Sequence, residues 1–345
     1  MAFVRFAQSD VVMDTARLTT STWTGNTDEL TTVYTASSQA GDTARSTPTG
    51  RGAHFIDVYN LATSSNNSEV QYSAAYGHRA GSGSENFTNG GGGYGFSPSR
   101  NIYGQYRQLV YGTETQDFNF SGFTPNDIFV INVNRSRYKH NLKPGTLNLK
   151  IKSSTGTANT VHLTDDSVTA LGASVATNAG RQFNIVSGSD GVRLGSNNVQ
   201  VTNSGSYGFF YPDCGLIILN PEALNHTISS LVTTVTANTQ GDNHVKLINA
   251  INAGASFIVD SEEKVSSTYY FARAKNNEFN YTTNPSFIDN NGNILMNSMI
   301  DNPTTYITTV GLYGDSGDLL AVAKLSQPIT KDFTKEALIR IKLDY

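Results

Sequence analysis

The stretch Thr304-Thr-Tyr-Ile-Thr-Thr-Val-Gly-Leu-Tyr313 decides the fold class, because β-branched and aromatic residues favour strands. The chain then breaks at Gly314-Asp315-Ser316-Gly317 and resumes as Leu319-Leu-Ala-Val-Ala-Lys-Leu325. Two strand-forming runs around a turn-forming tetrapeptide predict a β-hairpin. Gln327-Pro328 comes next, and we expect it to interrupt the ladder, since proline has no backbone N–H to donate.

The last run of the chain, Ala337-Leu-Ile-Arg-Ile-Lys-Leu-Asp-Tyr345, predicts a strand that is half buried against a core. Its alternation places one set of residues on each face: Leu338, Arg340, Lys342 and Asp344 on the first, and Ile339, Ile341, Leu343 and Tyr345 on the second. We expect the second face to pack on the sheet that contains Tyr306, Val310 and Val322.

Upstream of this region the sequence predicts many short strands and few helices. The strand candidates are residues 3–6, 53–59, 69–78, 127–133, 146–152, 161–163, 182–186, 209–212 and 215–219. Residues 127–133 are almost continuously apolar, which is typical of a strand buried on both faces. Residues 243–252 are the best helix, with Asp242 placed to cap it and Gly254 to end it. Residues 221–224 predict a turn or short helix, and residues 102–111 fit either a helical turn or a strand.

These patterns predict a mainly β protein: an antiparallel β-sandwich-type body with one or two short helices and an extended N-terminal arm. Residues 1–50 show little periodicity and form the arm, which either orders on a partner or remains an unordered terminus. Residues 51–260 form a β-rich domain with loop insertions. Residues 261–345 form a C-terminal antiparallel β region, which we expect to share one core with the preceding domain.

Composition narrows the classes of partner. Charged residues make up 15% of the 345 residues, which suits a surface that is largely covered by neighbouring subunits. With 24 basic and 28 acidic residues, we expect neither nucleic acid nor an anionic membrane as partner. No apolar run resembles a signal peptide or a membrane span, and a single cysteine excludes an intrachain disulfide. These features predict assembly in a reducing cytoplasm.

Three polar motifs invite a catalytic or metal-binding interpretation. Gly314-Asp315-Ser316-Gly317 is similar to the tetrapeptide around the nucleophile of chymotrypsin-like proteases, but the following Asp318-Leu319 departs from that pattern, so a hairpin turn is favoured. Asp289-Asn-Asn-Gly-Asn293 resembles the start of a calcium loop, but its glycine comes two positions early. A turn between Phe287 and Ile294 explains it better. Asp165-Asp166 could join a cation site or form a carboxylate pair, although adjacent aspartates are common in loops.

The remaining candidates also favour structural roles. The histidines His54, His78, His140, His162, His226 and His244 lack metal-ligand spacing. Cys214, beside a core strand, predicts a buried thiol rather than a nucleophile. The tract Gly90-Gly-Gly-Gly-Tyr-Gly95 lacks the lysine and the directly following helix of a phosphate loop, because it runs into Phe96-Ser-Pro98. The cluster Arg135, Arg137, Lys139 and His140 indicates a solvated turn or an inter-subunit salt-bridge site rather than a nucleic-acid patch. We therefore expect no catalytic residues, cofactor or metal.

The C-terminal region also carries a family resemblance. The segments concerned are Ser266-Ser-Thr-Tyr-Tyr-Phe-Ala-Arg-Ala-Lys-Asn-Asn-Glu-Phe-Asn-Tyr281, Asn284-Pro-Ser-Phe287, Tyr306-Ile-Thr-Thr-Val-Gly-Leu-Tyr313 and Leu320-Ala-Val-Ala-Lys-Leu325. They resemble a family of virion structural proteins of large tailed bacteriophages, notably phages of marine cyanobacteria. Ser99-Arg-Asn-Ile-Tyr-Gly-Gln-Tyr106 and Phe210-Tyr-Pro-Asp-Cys-Gly-Leu-Ile-Ile-Leu219 extend the likeness upstream.

The resemblance implies a structural protein of the virion, in the tail or baseplate. Its partners would be other virion proteins and copies of itself, and the resemblance brings no catalytic residues. A second hypothesis is a receptor- or glycan-binding fibre-type protein, in which exposed Tyr94, Phe96, Tyr103 and Tyr106 stack on sugars. A third is a hydrolase that acts on the host envelope.

Overall fold

The computed structural model describes residues 4–35, 55–83, 97–153, 159–169, 174–194, 204–228, 231–235, 242–282 and 284–345. Strands dominate, every strand pairing for which a register is resolved is antiparallel, and the helices are few. The predicted mainly β, antiparallel fold class is therefore confirmed. The chain divides into two compact units: a larger unit, Leu18–Glu263, and a smaller unit made of Met1–Arg17 and Lys264–Tyr345.

The described residues contain eighteen strands and three α-helices. The strands are β1 (Val11–Ser21), β2 (Glu29–Leu30), β3 (Phe55–Tyr59), β4 (Val70–His78), β5 (Asp127–Val133), β6 (Asn141–Leu142), β7 (Asn148–Lys152), β8 (Thr160–Asp165), β9 (Val175–Thr177), β10 (Gly180–Ser189), β11 (Val192–Arg193), β12 (Gly208–Tyr211), β13 (Leu216–Leu219), β14 (Phe257–Ile258), β15 (Asp260–Ala274), β16 (Thr305–Tyr313), β17 (Leu319–Lys331) and β18 (Ala337–Asp344). The helices are α1 (Pro98–Tyr111), α2 (Pro221–Thr227) and α3 (Asp242–Gly254).

The larger unit is organised around one sheet with the strand order β2-β14-β7-β8-β10-β12-β13-β5-β4-β3. Strand β5 lies near one end of this order and, apart from the exposed Asn132, is buried on both faces, as its apolar run predicts. Phe129 and Ile131 belong to the core cluster that also contains Leu247 of α3. Ile128 and Val130 belong to a second cluster, with Tyr103 of α1. The sheet therefore separates two layers of buried side chains.

Two of the helices test the sequence patterns. The predicted helix at residues 243–252 is confirmed as α3. Residues 102–111, for which the sequence allowed a helical turn or a strand, lie in helix α1. The helix begins at Pro98, and proline is tolerated there because the N–H of a first helical residue has no partner within the helix. The expectation that no helix directly follows the glycine tract is therefore wrong. Gly112, with a φ of 70°, ends α1 in the left-handed conformation that glycine adopts without strain.

The N-terminal segment is extended but contributes to both units. The predicted strand at residues 3–6 is not formed by its described residues 4–6, and the first strand is β1, whose residues are mostly exposed. Further along, β2 pairs with β14, and Trp23 is 3% exposed within the larger core. The Trp23 Nε1–H donates to the carbonyl oxygen of Phe257 at 2.9 Å. This part of the predicted arm packs on its own chain.

In the smaller unit, β15 pairs with β18, and β16 pairs with β17 as the predicted hairpin. The unit has a hydrophobic cluster of its own. Its buried members are Leu312, Ile339 and Ile341, with Tyr270, Ala272, Ile307, Val310, Ala321, Ala323, Leu325, Ile329 and Leu343 packed against them. The predicted inward face of the last strand is thus confirmed for Ile339, Ile341 and Leu343. Its predicted packing against Val310 is confirmed as well.

Three residues of that prediction are wrong, because Tyr306, Val322 and Tyr345 are 62%, 57% and 74% exposed. The ladder is irregular between Ile307 and Thr309, and the alternation of β16 reverses at this irregularity. Ile307 and Val310 can therefore both face inward while Tyr306 faces out. On the partner strand, residues 325–328 have no paired position on β16, and pairing is present on either side, at Lys324 and at Ile329. The expected break beside Pro328 is therefore present, although β17 continues to Lys331.

Candidate interaction surface

The outward side of the β16–β17 hairpin carries large apolar side chains in solvent; we call these residues the hairpin face. Its members and their exposed fractions are Tyr306 (62%), Tyr313 (37%), Leu319 (53%), Leu320 (72%) and Val322 (57%). Single exposed apolar residues are ordinary on protein surfaces, but several on one two-stranded element indicate a contact area for another molecule.

Local packing holds this face in place. Val322 lies opposite Gly311, whereas the neighbouring Ala321 and Ala323 lie opposite Leu312 and Val310 of the inner cluster. A Cβ atom at Gly311 would lie 2.8 Å from the Tyr313 ring and 3.3 Å from the Leu319 side chain. Glycine therefore allows the Tyr313 ring to lie across the strand backbone, where a larger residue would displace it.

The tip of the hairpin is a turn. The Gly314 N–H donates to the Asp318 carbonyl at 2.8 Å, and the Gly317 N–H donates to the Gly314 carbonyl at 2.9 Å. The Ser316 hydroxyl donates to the Asp318 carboxylate at 2.6 Å. Gly317 has a φ of 87°, which explains the glycine at this position. These hydrogen bonds show that residues 314–317 form a turn, as the sequence predicts.

The calcium-like loop is held by its own side chains. The Asp289 carboxylate accepts hydrogen bonds from the Asn291 N–H and the Asn293 N–H, both at 2.8 Å. The amide of Asn293 adds a third hydrogen bond at 2.9 Å and holds the pKa of Asp289 below its usual value. Ile288 and Ile294 form a bridge across this turn, at the place where the sequence predicts one.

Asp165 and Asp166 are buried, and each fixes a different piece of backbone. The Asp165 carboxylate accepts from the Gly145 N–H at 2.8 Å and from the Ser167 N–H at 3.0 Å. The Asp166 carboxylate accepts from the Asn184 N–H at 2.9 Å and from its side-chain amide at 3.0 Å. Burial raises the pKa of both carboxyl groups. Their hydrogen bonds give them a structural role.

The basic cluster makes its contacts within the chain. Arg135 donates to the Tyr138 carbonyl at 2.6 Å, and its guanidinium lies 4.7 Å from the Tyr138 ring centre. Arg137 forms an ion pair with Glu69 at 2.7 Å. The backbone N–H of Lys139 donates to the Ser261 hydroxyl at 2.8 Å. These contacts account for Arg135 and Arg137 as parts of the larger unit.

Cys214 is partly buried, and its thiol lies 3.8 Å from the Tyr211 carbonyl oxygen. Burial raises the pKa of this thiol to about 11, which disfavours the nucleophilic thiolate at neutral pH.

The described histidines are not brought together. His78 is buried and its Nδ1 accepts two backbone N–H groups, from Ala80 at 3.0 Å and Ser82 at 3.2 Å. His244 is buried in α3, whereas His140, His162 and His226 are exposed. His54 lies outside the described residues. Among the residues that the structure describes, no group of His, Cys, Asp and Glu could hold a metal ion.

The aromatic residues proposed for sugar stacking do not line a groove where they are described. Tyr103 is 1% exposed and Tyr106 packs against the same core cluster. Tyr94 and Phe96 lie outside the described residues, as does the glycine tract at residues 90–95. An open depression of about 560 Å³ does occur elsewhere on the larger unit. Its lining residues are Ser73, Asn132, Val133, Asn134, Arg135, Tyr138, Asp213 and Cys214.

The sequence pattern left the hairpin face undetected, because the strand prediction placed Tyr306 and Val322 inside. One signal was present: Leu319 and Leu320 are adjacent, and neighbouring residues of a regular strand point to opposite faces.

None of the described helices combines the length and apolarity needed to cross a membrane. Comparison with protein-family models, with curated proteins and with solved structures finds no match to this chain.

Proposed function

We propose that this protein is a structural component of a tailed-phage virion, in the tail or baseplate, and that it acts by binding neighbouring subunits. The observation that carries the proposal is the hairpin face, in which four large side chains are more than half exposed: Tyr306, Leu319, Leu320 and Val322. The resemblance of residues 266–325 to virion structural proteins supports a phage particle as the assembly. The hairpin face supplies the apolar surface by which this protein would bind its neighbours.

Burial of the hairpin face would drive association. A fully buried aliphatic side chain contributes roughly 1.5–3 kcal/mol relative to an exposed one. Leu319, Leu320 and Val322 are 53%, 72% and 57% exposed, so burial of what remains exposed could supply roughly 3–5 kcal/mol before the costs of association. Lys324 is exposed on the same side, and Asp315 at the tip lies 3.5 Å from Arg5 in a fully solvated pair. An apolar centre with charges at its edge is the usual composition of a protein interface.

Location in the particle is tested by labelling. Antibodies against the purified chain, applied to intact phage particles in immuno-electron microscopy, should mark the tail or baseplate. Labelling of the capsid alone would overturn the position, and absence of the chain from purified particles would overturn the structural role.

The interface is tested by a matched pair of substitutions. Leu320→Thr combined with Val322→Thr should give a folded protein that enters particles poorly, because both side chains are exposed in the isolated chain. Val192→Thr is the control, since Val192 is 50% exposed on a strand of the larger unit. Equal incorporation of the double variant and the control would exclude the hairpin face as the interface.

Receptor or glycan binding is the second candidate function, and the depression on the larger unit favours it. Its volume falls in the range of small-ligand sites, and Asn132, Asn134 and Arg135 bring hydrogen-bonding groups to its wall. Asn132 is exposed on β5, so Asn132→Ala should preserve the fold. A glycan array that binds the native chain and not this variant would support the function; no glycan bound by the native chain would refute it.

A further inference from the structure

A lysine is completely buried at the end of β17. Lys331 is 0% exposed, and its Nζ lies within hydrogen-bond distance of three oxygen atoms. These are the Asn276 carbonyl at 3.1 Å, the Asp332 carbonyl at 2.9 Å and the side-chain Oδ1 of Asn280 at 2.5 Å. Two of the three oxygens belong to the backbone, and the third belongs to an amide that is itself 2% exposed.

The amine has no carboxylate partner within the described part of the chain. Among the residues that the structure describes, the ion pairs do not include Lys331. The neighbouring Asp332 carboxylate instead accepts from the Thr334 hydroxyl and pairs with Lys335 at 3.3 Å. Burying a charge without an opposite charge is costly, so a reaction that removes the charge from this site is favoured.

The backbone around Asn280 is held in an unusual conformation that aims its amide at the lysine. Phe279 has a φ of 56°, in the left-handed region that a bulky residue rarely adopts. The Thr305 hydroxyl donates to the Phe279 carbonyl at 2.5 Å, and Thr305 pairs with Lys331 across the hairpin. Strained residues of this kind persist where the surrounding structure fixes them, and they concentrate at functional sites.

The amine of Lys331 and the side-chain amide of Asn280 lie close together. Since Nζ lies 2.5 Å from Oδ1, it lies within about 3.7 Å of the amide carbon Cγ, one carbonyl bond length further. The Asn276 carbonyl accepts from both partners, from Lys331 Nζ at 3.1 Å and from the Asn280 amide nitrogen at 2.7 Å. This shared acceptor fixes the orientation of the amide and places its nitrogen, the leaving group, beside a hydrogen-bond acceptor.

We propose that Lys331 and Asn280 form an intramolecular isopeptide bond. Lys331 Nζ attacks Cγ of Asn280, a new N–C bond forms, and the bond from Cγ to the amide nitrogen breaks. The departing nitrogen takes a proton from the attacking amine and leaves as ammonia. Atoms balance without an oxidant or reductant, and if the lysine begins protonated, ammonium leaves. Burial excludes the water that would otherwise compete.

The bond would join the segment after β15 to the end of β17 and enclose β16 and the hairpin turn in a covalent loop. A pulling force applied through residues 280 and 331 would then bypass the hairpin that carries the interaction surface. The inference is independent of the proposed function, since the bond is a property of the isolated chain.

Mass spectrometry of the denatured, purified chain tests the proposal. The intact mass should be lower than the sequence mass by one ammonia molecule. Proteolytic digestion should yield one branched peptide that contains both Asn280 and Lys331, and trypsin should fail to cut after Lys331. Lys331→Met and Asn280→Ala should each restore the full sequence mass, apart from the substitution itself.

Three results would overturn the proposal. The first is a native chain with the full sequence mass, and this measurement does not depend on whether either variant folds. The second is a loss of ammonia that maps to Asn291-Gly292, a sequence prone to cyclise on its own. The third is a branched peptide that involves a different lysine.

Discussion

Replacing Trp23 tests whether the N-terminal segment belongs to the core of the larger unit. Trp23 is the only tryptophan of the chain and is 3% exposed. Its ring centre lies 4.9 Å from that of Phe257 in an edge-on arrangement and 6.3 Å from that of Tyr72. Its indole N–H donates to the Phe257 carbonyl at 2.9 Å. Trp23→Ala therefore removes packing and a hydrogen bond together.

The size of the effect follows from these contacts. Truncation of a buried tryptophan to alanine costs about 3–5 kcal/mol in the free energy of unfolding. Trp23→Phe keeps an aromatic ring but loses the hydrogen bond to the Phe257 carbonyl, which costs about 1–3 kcal/mol. With a urea dependence of about 3 kcal/mol per molar, Trp23→Ala should lower the unfolding midpoint by about 1 M or more, and Trp23→Phe by less.

Fluorescence and circular dichroism provide the assay. In the native chain the only indole should emit as a buried tryptophan and resist quenching by acrylamide, and both properties should be lost in the urea transition followed by circular dichroism. An indole that is freely quenched in the folded chain, or a Trp23→Ala midpoint equal to that of the native chain, would refute the packing of residues 18–35. It would restore the free N-terminal arm predicted by the sequence.

Three further predictions concern other sites. Ile341 is 6% exposed, so Ile341→Ala should lower the free energy of unfolding of the smaller unit by about 2–5 kcal/mol. Lys342→Ala, on the opposite face, should change this free energy by less than about 1 kcal/mol. Hydrogen exchange along β15 and β18 measures both effects, and equal protection in the two variants would contradict the assigned faces. Burial lowers the pKa of His78 below 6.5. The charge of Arg79 also lowers this pKa, whereas the charge of Asp127 raises it. The stability from neutral His78 should thus be fully present above pH 6.5 and decline as the pH falls below it, so urea midpoints between pH 7 and 5 should fall more steeply in the native chain than in His78→Asn. Cys214 should react slowly with iodoacetamide at pH 8 in the folded chain and quickly in urea, because its pKa is raised to about 11; equal rates would show an accessible thiolate.

The sequence alone determined features that depend on neighbouring residues. Runs of β-branched residues predicted most of the strands, including β5 with both faces buried, and a periodic apolar pattern predicted α3. The glycine and aspartate residues of residues 314–317 predicted the hairpin turn. These patterns are reliable because strand and helix periodicity, and the backbone freedom of glycine, act within a few residues.

Tertiary structure decided which face of each strand meets the core. One irregularity between Ile307 and Thr309 reverses the alternation of β16, so Tyr306 is exposed where strict alternation would bury it. Such an irregularity depends on pairing with the partner strand, and the pattern of a single strand does not record it.

Long-range contacts decided the rest. Trp23 is buried because Phe257, 234 positions later, accepts its hydrogen bond, although the sequence around Trp23 shows no periodic pattern. Lys331 and Asn280 are 51 positions apart, and only the folding of β15, β16 and β17 brings the amine beside the amide. Local patterns report which elements a chain forms, whereas the meeting of two polar side chains in a dry site depends on how those elements pack, and so the candidate site appears only in the folded chain.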